Sequence, residues 1–289
     1  MKPAPFDYVA PATIDEACAV LAEAGGGATV LAGGQTLIPL LNLRMSQPFI
    51  VVDIGRIAEL RGIARAAGHT RIGPMTRQCE AIASTVLAGE LPVLVRATRH
   101  VGHHQTRNRG TIGGSIVLGE PAAELPATAV ALGATIEVRS MRGARQIPAG
   151  EFYLGPYMNV LDADELVTGI RFPDWPQGHL ALFREVARRP GDFALVGVVG
   201  ALVVEGGRIA RAGLAWFGMG PVPIRATAAE QALLGQSPEA IDAQLVAERA
   251  IADTAPFDDQ HASAEYRRTV GTRTFARALR EALVIGELA

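Results

Sequence analysis

Two glycine-rich stretches decide how this chain is interpreted: Leu31-Ala32-Gly33-Gly34-Gln35-Thr36-Leu37, and Arg107-Asn108-Arg109-Gly110-Thr111-Ile112-Gly113-Gly114-Ser115. Paired glycines let backbone N–H groups approach a phosphate closely, and neighbouring Thr and Ser hydroxyls add further donors. Each Gly-Gly pair alone is more typical of an ordinary tight turn. Together, the two turns are suited to holding one diphosphate between them.

The sequence excludes the commonest nucleotide-binding fingerprints. It contains no G-x-G-x-x-G at the start of a helix and no G-x-x-x-x-G-K-[ST]. A Rossmann dinucleotide fold and a P-loop NTPase therefore lose support. The segment around Ser115 also lacks the second glycine of the G-x-S-x-G hydrolase motif.

Composition indicates a folded protein that does not bind nucleic acid. The 289 residues are enough for two domains, and 49% of them are hydrophobic while 19% are charged. The formal net charge is -2, and the basic residues are scattered. Binding to a phosphate backbone needs a concentrated basic surface, so nucleic acid is not expected as a partner.

Cysteine usage restricts the metal chemistry of the chain. Cys18 and Cys79 are its only cysteines, too few for an iron–sulfur cluster or a Cys-rich zinc site. His100, His103 and His104 lie together, but no carboxylate or thiolate is close in sequence to complete a ligand set. We therefore expect no metal in this chain, and any cluster must belong to another chain.

The apolar segments predict neither a secretory signal nor a membrane span. The first residues lack the apolar core of a signal peptide. The longest apolar run, 193–204, is well short of the roughly 20 residues that cross a bilayer. We expect a cytoplasmic protein without a membrane span.

Periodicity and turn residues predict strands followed by helices, an α+β order. The cluster Pro173-Asp174-Trp175-Pro176-Gln177-Gly178 predicts the domain boundary, giving domains at 1–175 and 179–289. Thr13 and Glu16 form a capping box for the first helix, and Thr76 is expected to cap a later one. The predicted helices are 13–24, 92–100, 226–234, 238–252 and 264–284. The predicted strands are 29–31, 50–54, 135–139, 166–172, 180–187, 193–204 and 208–217, with Gly206-Gly207 as a hairpin turn.

Several motifs together resemble one family. Ala32-Gly33-Gly34-Gln35-Thr36-Leu37-Ile38-Pro39 and the second turn, with the following Pro121-Ala122-Ala123-Glu124-Leu125-Pro126, are similar to the FAD-binding medium subunit of molybdenum hydroxylases. That family contains carbon monoxide dehydrogenase and the bacterial xanthine dehydrogenases. The resemblance covers essentially the whole chain, including Gly191-Asp192-Phe193-Ala194 and Glu265-Tyr266-Arg267-Arg268. It implies an FAD-binding domain of the vanillyl-alcohol-oxidase (PCMH) type and a smaller C-terminal α+β domain.

The resemblance also implies cofactor contacts. The family's pyrophosphate loop corresponds to Ala32, Gly33, Gly34, Gln35 and Thr36, and the second turn contributes Thr111, Gly114 and Ser115. Glu124 is at the acidic position whose carboxylate accepts bonds from cofactor hydroxyls; a surface carboxylate after a proline turn is the alternative. Val101, Val167, Arg184 and Phe193 match positions around the flavin ring. A strand surface charge at Arg184 and a plain core role for Phe193 are the alternatives.

The resemblance implies that the chain transfers electrons. Substrate would be hydroxylated at a molybdopterin cofactor on a large subunit, and electrons would pass through two [2Fe-2S] clusters on a small subunit to FAD in this chain. The expected assembly is a dimer of heterotrimers, with no catalytic acid or base in this chain. Two other hypotheses stay open: a stand-alone flavin oxidoreductase with its own substrate pocket, and a flavin-free scaffold that docks partner subunits.

Overall fold

A parallel three-stranded sheet positions the first glycine-rich turn. The computed structural model describes residues 2–287, and this sheet has the order β1-β3-β2, with β1 at Asp7–Val9, β2 at Ala28–Leu31 and β3 at Ile50–Asp53. Helix α1 (Ile14–Glu23) begins at Thr13, whose hydroxyl accepts from the Glu16 N–H at 3.2 Å. The predicted capping box is confirmed.

An antiparallel sheet forms the other half of the N-terminal domain. Its order is β4-β5-β10-β6-β7. The strands are β4 (Ile63–Ala66), β5 (His69–Ile72), β6 (Thr135–Ser140), β7 (Gly143–Pro148) and β10 (Leu166–Pro173), and β8 (Tyr153–Gly155) and β9 (Met158–Asn159) make a separate hairpin.

Short helices carry the chain between these sheets. They are α2 (Leu37–Asn42), α3 (Gln78–Ala83), α4 (Thr85–Glu90), α5 (Pro92–His100), α6 (His104–Arg107), α7 (Ile112–Leu118) and α8 (Glu124–Ala131). Helix α5 confirms the prediction for 92–100. The predicted Thr76 cap is wrong: its hydroxyl donates to the Gly62 carbonyl at 3.0 Å, and α3 begins after Arg77.

The C-terminal domain is an antiparallel sheet covered by helices on one face. Its strands, in the order β11-β12-β13-β14, are β11 (Leu180–Ala187), β12 (Ala194–Glu205), β13 (Arg208–Phe217) and β14 (Ile224–Arg225). The helices are α9 (Thr227–Leu233), α10 (Ala243–Ile251) and α11 (Ala264–Glu287). The helix predicted at 238–252 is interrupted because Asp242 caps α10, accepting from the Gln244 and Leu245 N–H groups.

Side chains alternate between the two faces of the C-terminal sheet, and both faces are buried. Phe183, Val199 and Phe217 belong to a core that continues into the N-terminal domain through α5, α8 and β10. Their neighbours Leu182 and Trp216 face the opposite way, toward a second core. That second core also contains residues of α9, α10 and α11. The predicted α+β class is confirmed, and the two halves share one packed boundary.

Candidate functional site

The first turn presents unused backbone donors. Strand β2 ends at Leu31 and α2 begins at Leu37, so Ala32 to Thr36 form the connection. Gly34 has φ +72°, a conformation that favours glycine. The N–H groups of residues 33–36 donate no hydrogen bond to any described residue. These adjacent donors are partly to fully exposed and free to bind a ligand, so this cradle fits an anion such as a diphosphate.

The second turn differs from the expectation that it supplies backbone donors. Thr111 caps α7, and its hydroxyl accepts from the Gly114 N–H at 3.1 Å. The N–H groups of Ile112, Gly113 and Ser115 donate to backbone carbonyls. The turn is thus the first turn of a helix, and its N–H groups are already paired within the protein, so only side-chain groups remain to contact a ligand.

The structure brings these two turns together, as the sequence predicted. A Cβ on Gly33 would lie 2.5 Å from the Arg109 carbonyl oxygen and 2.9 Å from the Gly110 Cα. A Cβ on Gly114 would lie 3.7 Å from the Ala32 Cβ. Gly33 therefore permits direct contact between the turns, while Gly34 supplies the left-handed backbone.

A cavity of about 400 Å³ opens beside the two turns. Among the predicted residues, Ala32, Gly33, Gly34, Gln35 and Thr111 line it, whereas Thr36, Gly114 and Ser115 do not. The other lining residues are Leu31, Ile38, Pro39, Asp53, Gly55, Arg61, Met75, Arg77 and Arg109.

Sequence reasoning missed the charged lining of this cavity. Three arginines, Arg61, Arg77 and Arg109, and one aspartate, Asp53, line it. That carboxylate is already engaged, since it accepts from the Tyr8 hydroxyl at 2.6 Å and from the Gly55 N–H at 2.8 Å. The net local charge is positive, which favours a phosphate-bearing ligand. Arg109 lies within the second motif and could have been identified, but Arg61 and Arg77 arrive from separate segments.

A second group of predicted residues lies at the boundary between the domains. Val101 is the C-terminal capping residue of α5. The carbonyl oxygen of the next residue, Gly102, lies 3.1 Å from the position that a Cβ on Gly191 would occupy. This contact places the loop that carries Phe193 against the end of α5. Phe193 is 62% exposed, so it is not a core residue here.

Glu124 is buried, which excludes the surface-carboxylate alternative. It is the first residue of α8 and is 4% exposed. Burial, with smaller contributions from the charges of Glu185 and Glu120, raises the pKa of its carboxyl to about 8. Val167 is also buried, on β10, where it belongs to the core shared by the two domains.

Arg184 lies away from the predicted group. Its guanidinium pairs with Glu281 of α11, both distances being 2.9 Å. Side chains alternate along a strand, so on β11 the neighbours Phe183 and Glu185 face the N-terminal domain instead. The alternative of a structural strand charge describes Arg184, whereas its neighbour Glu185 pairs with His100 of α5.

Within residues 2–287 no helix is long and apolar enough to cross a membrane. The same part of the chain holds no group of three His, Cys, Asp or Glu side chains that could bind a metal ion. Of the three clustered histidines, His100 lies 3.1 Å from Glu185 and His104 lies 3.3 Å from Asn108.

Comparison with known proteins identifies the class to which this fold and site belong. Residues 4–175 match the family model described as the FAD binding domain in molybdopterin dehydrogenase. Residues 181–282 match the CO dehydrogenase flavoprotein C-terminal domain. The chain belongs to this family of FAD-binding subunits of molybdopterin-dependent oxidoreductases, which confirms the resemblance and FAD as its cofactor.

Individual relatives match over nearly their full length. The chain is 37% identical to the 6-hydroxypseudooxynicotine dehydrogenase complex subunit alpha of Paenarthrobacter nicotinovorans, over 98% of this chain and 97% of that one. It is 35% identical to the carbon monoxide dehydrogenase medium chain of Hydrogenophaga pseudoflava, over 98% of each. A solved structure of carbon monoxide dehydrogenase from Hydrogenophaga pseudoflava superposes with a TM-score of 0.95 and 36% identity, covering 99% of both chains.

Proposed function

We propose that this chain holds FAD in a molybdenum hydroxylase and passes electrons from an iron–sulfur partner subunit to an external acceptor. The observation that carries the proposal is the first turn, where four adjacent N–H groups lack partners among the described residues beside an arginine-lined cavity. When bound, FAD supplies a group that accepts electrons singly and releases them as a pair.

Each part of the chain has a distinct task in this proposal. The backbone of residues 33–36 binds the diphosphate, and Arg61, Arg77 and Arg109 balance its charge. Val101 and Glu124, at the domain boundary, contact the flavin half of the cofactor. The division into domains at 1–175 and 179–289 places this boundary between an FAD-binding and a covering domain. No side chain of this chain acts as a general acid or base on the hydroxylated substrate.

The proposed partners are a molybdopterin-binding large subunit and a small subunit with two [2Fe-2S] clusters, assembled as a dimer of heterotrimers in the cytoplasm. Two relatives, a dehydrogenase complex subunit and a carbon monoxide dehydrogenase medium chain, support a multi-subunit assembly. The described cysteines are both free thiols, which agrees with a reducing compartment.

The test compares the isolated chain with the reconstituted complex. The isolated chain should bind FAD, and dithionite should reduce the bound flavin, but hydroxylase substrates should not. Adding the two partner subunits should restore substrate-dependent flavin reduction in stopped-flow spectra. A Gly34→Ala complex should then reduce its clusters while losing acceptor reduction, and a Gly25→Ala complex should behave as the wild type.

Two results would reject the proposal. Flavin reduction by substrate in the isolated chain would establish a stand-alone oxidoreductase. A chain that stays colourless after incubation with FAD would establish a flavin-free scaffold.

A further inference from the structure

The N-terminal domain carries an exposed apolar surface around α2 that the proposed function does not use. Four of its side chains come from α2 and the connector that leads to β3, and one comes from β1. Among the large hydrophobic side chains of the described residues, Phe49 and Met45 are the most exposed, at 79% and 74%. The set, called the α2 surface below, consists of Tyr8, Ile38, Leu43, Met45 and Phe49.

Backbone hydrogen bonds hold the parts of the α2 surface together. The Met45 N–H donates to the Leu40 carbonyl at 2.9 Å, which folds the connector back onto α2. The Asp7 N–H donates to the Phe49 carbonyl at 2.8 Å, so the end of the connector lies beside the start of β1, where Tyr8 follows. The five side chains therefore belong to one continuous part of the fold.

The α2 surface is large enough to form the centre of an interface. A fully exposed large side chain presents about 150 to 250 Å², so the five together expose on the order of 500 Å². Single apolar residues scattered on a surface are normal, but a contiguous patch of this size marks an interaction site. A stable interface buries about 800 Å² on each partner, with apolar side chains at its centre.

A cation without a partner lies inside this apolar surface. Arg44 is the only charged residue between Gln35 and Phe49. Its backbone has φ +59°, which is uncommon for a residue other than glycine. Its Nε donates to the Lys2 carbonyl at 3.2 Å, but no carboxylate among the described residues forms an ion pair with it. A partner that covers this surface therefore has to present a carboxylate as well as apolar side chains.

The α2 surface is continuous with the wall of the cofactor cavity. Ile38 belongs to both, and its neighbour Pro39 also lines the cavity. The Tyr8 hydroxyl donates to Asp53, another lining residue, at 2.6 Å. A subunit seated on this surface therefore lies beside the proposed cofactor. Of the proposed partners, the iron–sulfur subunit is the one that delivers electrons to that cofactor and so has to bind next to it.

We propose that the α2 surface is the docking site of the iron–sulfur subunit. That subunit covers Leu43, Met45 and Phe49 with apolar side chains and pairs a carboxylate with Arg44. The inference rests on the proposed function, because it takes from it the iron–sulfur subunit as the electron donor. The large subunit, a second copy of this chain and a lipid surface are the competing occupants.

The test measures binding of the iron–sulfur subunit to the full-length chain by biolayer interferometry. Met45→Glu places a charge in the apolar centre of the interface, so the dissociation constant should rise at least about tenfold. Arg44→Asn removes the cation with a residue that tolerates the left-handed backbone, and its weaker binding should approach that of the wild type as salt rises. Met141→Glu, at a 61% exposed position between β6 and β7, is the matched control and should bind as the wild type does.

Two further measurements show that the variants are intact. Neither Met45 nor Arg44 lines the cofactor cavity, so circular dichroism and FAD affinity should match those of the wild type. If Met45→Glu fails to fold, Arg44→Asn and its salt dependence decide.

The outcomes separate this inference from the proposed function. Folded variants that bind the iron–sulfur subunit as tightly as the wild type overturn the inference alone. The same unchanged affinity, combined with weaker binding of the large subunit, loss of a wild-type homodimer in ultracentrifugation or loss of binding to phosphatidylcholine–phosphatidylserine vesicles, overturns it in favour of that occupant. A wild-type chain that does not bind the iron–sulfur subunit at all overturns both.

Discussion

At the scale of single residues, Gly33 and Gly34 have different reasons to be glycine. A side chain on Gly33 would collide with the backbone of the second turn, so Gly33 sets the distance between the turns. At Gly34 an added Cβ would crowd two side chains, lying 3.1 Å from Ile38 Cγ1 and 3.3 Å from Leu31 Cδ1, and the φ of +72° is unfavourable for an L side chain.

Replacing Gly34 with Ala should therefore weaken FAD binding by altering the turn that presents the free N–H groups. Gly25 is the matched control, because its φ of +55° imposes a similar backbone cost in open space at the end of α1. Each variant should lose about 1 to 2 kcal/mol of stability in urea unfolding. A flavin titration should show a raised dissociation constant for Gly34→Ala only. Equal affinities in the two variants would contradict a role for this turn.

The arginines of the cavity lead to a second prediction at this scale. Arg109→Gln removes the charge of one of three arginines that line the cavity, so FAD affinity should fall by about tenfold at low salt, equivalent to about 1.4 kcal/mol. Because salt screens charge interactions, the difference from wild type should shrink as ionic strength rises. Arg273→Gln, an exposed arginine on α11, should leave both the affinity and its salt dependence unchanged. A salt-independent loss in Arg109→Gln would indicate a packing effect instead of charge.

At the scale of elements, the second glycine-rich turn is the start of a helix. Thr111 has two tasks there, since its hydroxyl caps α7 and also lines the cavity. Thr111→Val should lose about 1 kcal/mol of stability with the cap and should also bind FAD more weakly. Thr111→Ser keeps a hydroxyl and should restore most of both properties. Thermal melts and FAD titrations on the same preparations measure the two effects, and a Ser variant as weak as the Val variant would show that the hydroxyl alone does not account for them.

Local sequence signals predicted the elements that local interactions determine. The Thr13–Glu16 capping box, the proline start of α5 and the Gly206-Gly207 hairpin are each defined by a few neighbouring residues, and all are present. The α10 start was missed although Asp242 is a good capping residue, because the apolar pattern continues across it. The Thr76 cap failed because a tertiary contact to Gly62 uses its hydroxyl.

The candidate site was predictable only where it follows a motif. Both turns and Glu124 were predicted from contiguous residues, whereas Arg61 and Arg77 reach the cavity through folding of separate segments. On β11 the prediction chose Arg184, but the register of the sheet turns that side chain toward Glu281 and leaves Glu185 facing α5. A shift of one residue in strand register moves each side chain to the opposite face of the sheet. The sequence alone did not determine the register of β11.

At the scale of the whole molecule, the two domains share a core. Phe217 is fully buried and stacks with Phe183 at 6.0 Å, and both side chains pack against elements of the N-terminal domain. Arg211 of β13 also stacks 3.7 Å from the ring centroid of Trp175, near the end of the N-terminal domain. A large apolar boundary of this kind opposes independent domain motion. The two halves should therefore unfold together.

The two tryptophans allow this cooperativity to be measured directly. Trp175 reports on the boundary, and Trp216 reports on the second core, where its Nε1 donates to the Ala250 carbonyl at 3.1 Å. In Trp216→Phe and Trp175→Phe variants, the remaining tryptophan fluorescence and the far-UV circular dichroism should give the same urea midpoint. Adding Phe217→Ala to each variant should cost about 3 to 5 kcal/mol and lower the fluorescence midpoint in both backgrounds, because the cavity opens in the shared core. If Phe217→Ala moved only one of the two tryptophan transitions and left the other in place, the domains would unfold independently, and a cofactor held between them would be bound by two separately stable halves.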